Sequence, residues 1–403
     1  MTAAGGAAAA TVPLLRLDDL EYELPPGLIA QAPAEPRDAS RLLVSTGRGG
    51  AQVLDDRCFT DLPMLLRPGD VLVRNDTRVF PARALFRKET GGRVELLFLE
   101  RLSPPFRAAA GGRDDRADRD DRAGEERWEA LARGRLRGGE RLRSEAGPEE
   151  FAVEVGERLG DGRWEVRPAA PVAEPLDVLL DRYGETPLPP YIKAALADPE
   201  RYQTTYARPR GSAAAPTAGL HFTPALDAAL RAAGVTIEHL TLHVGLATFK
   251  PVTAERVEDH PLHEEPFVVD AAVWGRIAAA RAAGRRVVAV GTTMVRLLEE
   301  LVRTDVADAR DARPAGGDGG GDDAAACEVI RGRTGLFITP GHEFRAVDGL
   351  ITNFHLPRTS LLALVMAFCG VDETRRSYEH AIAERYRFYS FGDAMLAWGR
   401  GAS

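Results

Sequence analysis

DAAVWGRIAAARAAGRRVVAVGTT, the stretch from Asp270 to Thr293, holds a helix, a strand and the opening of a second helix. Asp270 is a capping residue, the run to Ala283 is a helix, and Gly284 stops it. Arg286 to Val290 is the strand that follows, and Thr292-Thr293 opens the next helix. Upstream, AAAPTAGLHFTPALDAALRAAGVTIEHLTLHVGLATFKP (Ala213–Pro251) has the same rhythm. Thr223-Pro224 caps and starts a helix whose apolar face is Leu226, Leu230 and Ala233, and Gly234 ends it. The β-branched run Val235 to Val244 is a strand ending at Gly245. His221 therefore sits just before a helix N-terminus and His243 near the C-terminal end of a strand, where ligands gather in α/β folds.

Working outward, alternating strands and helices from Leu176 onward predict α/β architecture with a largely parallel sheet or barrel. Between Val79 and Pro171 the texture differs. Short strands at Arg93–Leu99, Trp128–Leu131, Phe151–Val155 and Trp164–Val166 are separated by glycine-rich turns, which predicts an all-β insert. The expected layout is a tail over 1–13, a discontinuous α/β domain over 14–78 and 172–403, and an inserted β domain over 79–171. Two acidic, low-complexity stretches, Arg113–Arg127 and Asp308–Asp323, read as solvated loops, so flexible inserts are expected over 104–127 and 308–323.

The chain has 403 residues, 44% of them hydrophobic, enough for two or three domains with sizeable cores. Its net charge of −8 is concentrated in the two acidic stretches. Basic residues cluster at Arg83–Arg93, Arg133–Arg143 and Arg201–Arg210, most of them read as solvated surface. Cys58, Cys327 and Cys369 are scattered without CxxC spacing, which argues against a disulfide framework or a cysteine-built zinc site and fits a reducing cytoplasm. The first residues lack a basic leader and a hydrophobic stretch, and no apolar run reaches membrane-spanning length.

Several short constellations carry chemistry. Gly291-Thr292-Thr293 is a strand-to-helix turn whose backbone N–H groups and hydroxyls could hold a carboxylate or phosphate, or could simply cap the helix. His260, His263 and Glu265 form an HxxHxE pattern suited to proton exchange or hydrogen bonding. A divalent metal with His243 or His355 as third ligand is the weaker reading, because the spacing is not HExxH. His355, in Asn353-Phe354-His355-Leu356-Pro357, marks another strand-to-helix junction. Asn75-Asp76-Thr77-Arg78 offers an acid, a hydroxyl and a guanidinium where the two bodies join. No GxGxxG loop or Walker sequence is present.

These blocks, in order, carry a family resemblance. PTAGLHF (Pro216–Phe222) and LHVGLATFKPV (Leu242–Val252) resemble the S-adenosylmethionine:tRNA ribosyltransferase-isomerases of queuosine biosynthesis. So do Tyr22-Glu23-Leu24-Pro25, Ser40-Arg41-Leu42-Leu43, the NDTR block, Pro187–Ile192, Arg201–Thr204, the HxxHxE pattern, Gly291–Thr293, Thr352–Pro357 and Tyr386–Met395. The resemblance spans nearly the whole chain. It implies a large α/β domain with an inserted β-barrel domain, in a cytoplasmic monomer. It also implies that S-adenosylmethionine is a consumed cosubstrate, with no retained cofactor, and that its ribosyl group is transferred and isomerised onto 7-aminomethyl-7-deazaguanine in the tRNA anticodon loop. The products would be epoxyqueuosine-tRNA, adenine and methionine.

Such chemistry needs a base beside the sulfonium, an acid for adenine and a neutral aminomethyl group. The expectation is that His221, His243, His260, His263, Glu265 and His355 line one pocket. S-adenosylmethionine is expected to be met by Asp76, Thr77, Arg78, Thr217, Gly219, Gly245, Gly291, Thr292, Thr293 and Asn353. The chain departs from the family pattern at Arg74, Ala247, Leu262 and Arg333. The alternative is a divergent paralogue that binds S-adenosylmethionine or a related adenosyl compound without acting on tRNA.

Overall fold

Val71, Leu72 and Val73 are all buried, the two valines in one apolar core and the leucine in another. A strand buried on both faces needs a helical layer on each side, and this decides the architecture. The computed structural model describes residues 15–47, 49–103, 126–149, 151–169, 174–194, 196, 198–245, 252, 254–260, 262, 264–304 and 328–399. The expected tail over 1–13, the insert over 308–323 and most of that over 104–127 lie outside them.

In chain order the first elements are β1 (Arg41–Thr46), β2 (Val53–Cys58), α1 (Leu62–Leu65), β3 (Val71–Asn75) and β4 (Arg78–Val79). A second body follows: β5 (Arg83–Lys88), β6 (Arg93–Ser103), β7 (Arg127–Arg133), β8 (Arg141–Ser144), β9 (Ala152–Gly160), β10 (Arg163–Pro168) and helix α2 (Leu176–Tyr183). The chain then returns through β11 (Arg210–Ser212), α3 (Pro224–Ala232), β12 (Thr236–Leu242), β13 (Glu265–Asp270), α4 (Ala271–Ala282), β14 (Val287–Val290) and α5 (Thr292–Arg303). It ends with β15 (Val329–Thr334), β16 (Gly349–Asn353), α6 (Ser360–Cys369), α7 (Val371–Ala383) and β17 (Ala394–Trp398).

Nine strands form one sheet in the order β15-β13-β12-β3-β14-β16-β17-β1-β2. β12, β3, β14 and β16 run parallel, and β17 is parallel to β1 but antiparallel to β16. β13, β15 and β2 are antiparallel additions at the edges. The sheet is thus mixed, and the expected parallel arrangement describes its centre. Ile277 of α4, Leu298 of α5 and Leu364 of α6 pack in one core, while Leu62 of α1 and Leu230 of α3 pack in the other. β5 to β10 close into an antiparallel barrel around Phe86, Phe98, Trp128 and Phe151, as the all-β reading of this region requires.

Two details correct the sequence reading of this region. Helix α2 lies beyond the expected boundary at 171, yet Leu176, Leu179 and Leu180 share the barrel's core, because their spacing gives one apolar stripe. Glu126, expected in a solvated loop, is 0% exposed. Its carboxylate accepts from the Trp128 indole N–H at 2.8 Å and the Leu176 backbone N–H at 2.9 Å, which fastens the N-terminus of α2 to β7. Arg101 stands 3.5 Å away, and burial pushes the Glu126 carboxyl pKa up. Replacing Glu126 with alanine would leave this buried set uncompensated. The expected loss is about 3–5 kcal/mol in urea unfolding followed by tryptophan fluorescence, and a loss below about 1 kcal/mol would refute the fastening role.

Candidate active site

β14 and β16 are parallel neighbours, so the chain leaves both at the same edge of the sheet. Gly291 and Thr292 follow β14, and Asn353 to His355 end and follow β16. A third segment, the single helical turn Thr217–His221, packs beside them. Thr217 and Ala218 of that turn, together with Gly291, Thr292, Asn353 to His355, Tyr191, Tyr389 and Ser390, line a cleft enclosing about 660 Å³ of non-protein space, open solvent at its mouth included. The location is where open α/β sheets bind ligands. Among the described residues lining it, none carries a formal charge.

Each polar group in the wall is held by another. Thr217 Oγ1 donates to Asn353 Oδ1 at 2.9 Å. The Asn353 amide nitrogen then faces His221 Nε2 at 3.2 Å and donates to it. His221 consequently carries its proton on Nδ1 and donates to Ser40 Oγ at 2.8 Å. The imidazole stacks on Phe59 with centroids 4.9 Å apart, and burial lowers its pKa to about 4. His221 stands behind the wall and orients Asn353. His355 is part of the wall itself. Its Nε2 lies 2.8 Å from Thr352 Oγ1, its N–H donates to the Tyr378 hydroxyl at 3.0 Å, and its carbonyl accepts from Tyr22. Burial lowers the His355 pKa to about 3.

Across the cleft, the Tyr191 hydroxyl meets Ser390 Oγ at 2.6 Å, and its ring lies 4.7 Å from that of Tyr389. Tyr389 has a φ of +71°, a conformation that side chains other than glycine rarely adopt. Burial pushes the Tyr191 phenol up to about 12. Gly291 caps α5 with a φ of +87°, and no side chain caps that helix. The threonines are therefore not its cap. Thr293 Oγ1 is buried without a hydrogen-bond partner among the described residues.

The single pocket expected for six residues is corrected: of those described, only His355 lines the cleft. His243 faces the other way from its neighbour Val244, with Nδ1 2.8 Å from Thr77 Oγ1, and burial lowers its pKa to about 4. Asp76 accepts from Thr241 Oγ1 at 2.6 Å, and burial raises its carboxyl pKa. Arg78 pairs with Glu200 in a separate groove beside the barrel. Glu265 accepts the Gly245 N–H at 2.9 Å and pairs with Arg296 at 2.5 Å, so it is spent on holding the backbone. Gly219 is pressed against Tyr206, whose hydroxyl a Cβ would overlap. His260 lies beside Phe337, away from the cleft, and His263 is outside the described residues. Thr217, Gly291, Thr292, Thr293 and Asn353 line the cleft.

Two of the departures have structural partners. Arg74 is 0% exposed and pairs with Asp227 on α3 through both terminal nitrogens, at 2.6 and 2.9 Å. It also meets His239 Nε2 at 2.9 Å and lies over Tyr206. Arg333 on β15 bonds Glu100 on β6 at 2.8 Å and so bridges sheet and barrel. Leu262 is half-buried, and Ala247 lies outside the described residues. Ser40, Tyr191, Thr352, Tyr389 and Ser390 were missed as site residues. Their only signal was membership of the motif blocks, since spacing along the chain does not reveal which blocks meet in space.

Comparison with known proteins shows the family. The family described as queuosine biosynthesis protein matches residues 17–397. A relative from Moorella thermoacetica, named S-adenosylmethionine:tRNA ribosyltransferase-isomerase, is 47% identical over 397 residues, covering 95% of this chain and 99% of its own. One of the same name from Rubrobacter xylanophilus is 47% identical over 393 residues, covering 96% and 99%. A crystal structure of an S-adenosylmethionine tRNA ribosyltransferase from Thermotoga maritima is 33% identical, covers 94% of this chain and 99% of its own, and superposes with a TM-score of 0.47. No described helix is long and apolar enough to cross a membrane. A match running from before β1 to within β17, with relatives aligned over nearly their full length, makes the chain a member of the queuosine biosynthesis protein family.

Proposed function

We propose that the protein transfers and isomerises the ribosyl moiety of S-adenosylmethionine onto 7-aminomethyl-7-deazaguanine in the anticodon loop of tRNA. The products are epoxyqueuosine-tRNA, adenine and methionine, and the enzyme works as a cytoplasmic monomer with no retained cofactor. The observation that carries this reading is the uncharged cleft at the ends of β14 and β16, whose donors and neutral imidazole come from the sequence blocks shared with the family.

The chemistry follows from the protonation states. A sulfonium acidifies the adjacent C–H, so an unprotonated and positioned imidazole can serve as the base that removes that proton. His355 is the imidazole in the cleft wall, and burial keeps it neutral at physiological pH. The phenols of Tyr191 and Tyr389, held protonated by burial, are the proton donors available as adenine leaves. The neutral aminomethyl group of the base then attacks the ribosyl carbon and gives its proton to solvent, and the sulfonium C–S bond breaks to release methionine with its electron pair on sulfur. Thr217 and Asn353, the latter oriented from behind by His221, form the wall against which the ribose is oriented.

The direct test is incubation with S-adenosylmethionine and tRNA bearing the 7-aminomethyl base. Adenine release in step with a nucleoside of epoxyqueuosine mass is expected, and folded protein that gives neither product refutes the reading. His355→Gln is expected to lower kcat by about 10²–10⁴-fold with little change in S-adenosylmethionine affinity by calorimetry; a near-normal rate would remove His355 as the base. The pH profile gives a third check. Because the folded pKa of His355 lies at about 3, below the usual histidine value, its neutral form persists through the weakly acidic range. Turnover should show no acid limb at about pH 6.5 that depends on this residue, and such a limb, if lost in His355→Gln, would contradict the assignment.

A further inference from the structure

The N-terminus of α5 has no side-chain cap. The helix is 12 residues long, so its aligned peptides place a partial positive charge at this end. Its cap, Gly291, has no side chain to offer, and the Gly291 N–H is taken by the Ile351 carbonyl at 2.8 Å. The Met294 N–H bonds back to the Gly291 carbonyl at 3.1 Å. The N–H groups of Thr292 and Thr293, in the first turn, have no intrahelical acceptor. A second observation points independently to a ligand. Thr293 is only 7% exposed, lines the cleft, and its Oγ1 has no hydrogen-bond partner among the described residues. A buried hydroxyl left unpaired costs roughly 1–3 kcal/mol, which a bound acceptor would recover.

The surroundings select the kind of acceptor. The described lining contains no lysine or arginine, so a phosphate of a polynucleotide would find none of the side chains that normally neutralise it. A single carboxylate suits a helix end with a few converging donors. Phe354, Leu356 and Leu361 add an apolar wall that fits a methylene chain running away from that carboxylate. We propose that the N-terminus of α5 holds the α-carboxylate of S-adenosylmethionine, with Thr293 Oγ1 donating to it beside the Thr292 and Thr293 amides; this rests on the function proposed above. The subsite makes the enzyme selective for the amino-acid end of its cosubstrate and fixes the direction in which the sulfonium enters the cleft.

The experiment compares S-adenosylmethionine with decarboxylated S-adenosylmethionine by calorimetry on the wild type, Thr293→Val and Thr293→Ser, with the KM for tRNA measured alongside. The wild type is expected to prefer the carboxylated ligand by about 100-fold or more. Thr293→Val should weaken S-adenosylmethionine about 10-fold, leave the decarboxylated ligand unchanged and leave the KM for tRNA unchanged, while Thr293→Ser recovers most of the loss. Equal affinity of the wild type for both ligands overturns the subsite, whether or not the valine variant folds, and leaves the proposed reaction standing if turnover is intact. A raised KM for tRNA with unchanged S-adenosylmethionine affinity assigns the helix end to an RNA phosphate and also overturns it. Folded wild type that neither binds nor turns over S-adenosylmethionine removes the functional reading and the subsite together.

Discussion

Parallel strands buried on both faces cannot be joined by tight turns; each must be followed by a crossover that returns the chain to the opposite edge of the sheet. β3 and β14 obey this constraint, each being followed by a long return before its parallel neighbour, β12 or β16, and much else depends on it. It brings the chain out of β14 and β16 side by side. It starts α5 directly behind the exit of β14, with its amides turned toward the space the two chain exits leave between them. The antiparallel edge strands and the barrel can be attached to such a sheet without disturbing this exit, which is why an all-β body can sit between β4 and β11 while the cleft stays intact.

The second principle of the site is the exclusion of charge. Burial lowers the pKa of His221 and His243 to about 4 and that of His355 to about 3. The carboxylates nearest in sequence to the motifs are occupied elsewhere: Glu265 holds Gly245 and Arg296, and Asp76 is pinned by Thr241. In the proposed reaction a cationic sulfonium would meet hydroxyls, an amide, a neutral imidazole and aromatic rings. A resident carboxylate would stabilise the ground-state cation, whereas neutral dipoles leave more of the stabilisation for the transition state.

Much of this was legible in the sequence, for identifiable reasons. Local signals such as the Asp270 and Thr223 caps, the Gly234 and Gly284 stops and the β-branched runs are read within one turn or one strand, and the elements form accordingly. Gly291, Thr292, Thr293 and Asn353 lie at strand-to-helix junctions that are recognisable in sequence, whereas Thr217 stood out only as part of the PTAGLHF block. Side-chain direction was not legible. His243 and Val244 are adjacent, and one faces Thr77 while the other faces the cleft; this depends on pleat register, which a block of motif does not state. Glu126 was misread because its acidic neighbours dominate the composition of that stretch, although its own position is set by Trp128 two residues on.

Arg74 and Asp227 also constrain each other's replacement. A guanidinium at position 74 without its acid would be a buried, uncompensated charge, costing about 3–5 kcal/mol, a large share of the stability of an ordinary domain. The acid alone is a different matter. Asp227 lies in the first turn of α3, where the helix dipole favours a negative side chain, and its side chain keeps 11% exposure. Replacing Asp227 while Arg74 remains is thus the costlier single change, because it strands the fully buried guanidinium, whereas replacing Arg74 leaves an acid that the helix end still favours.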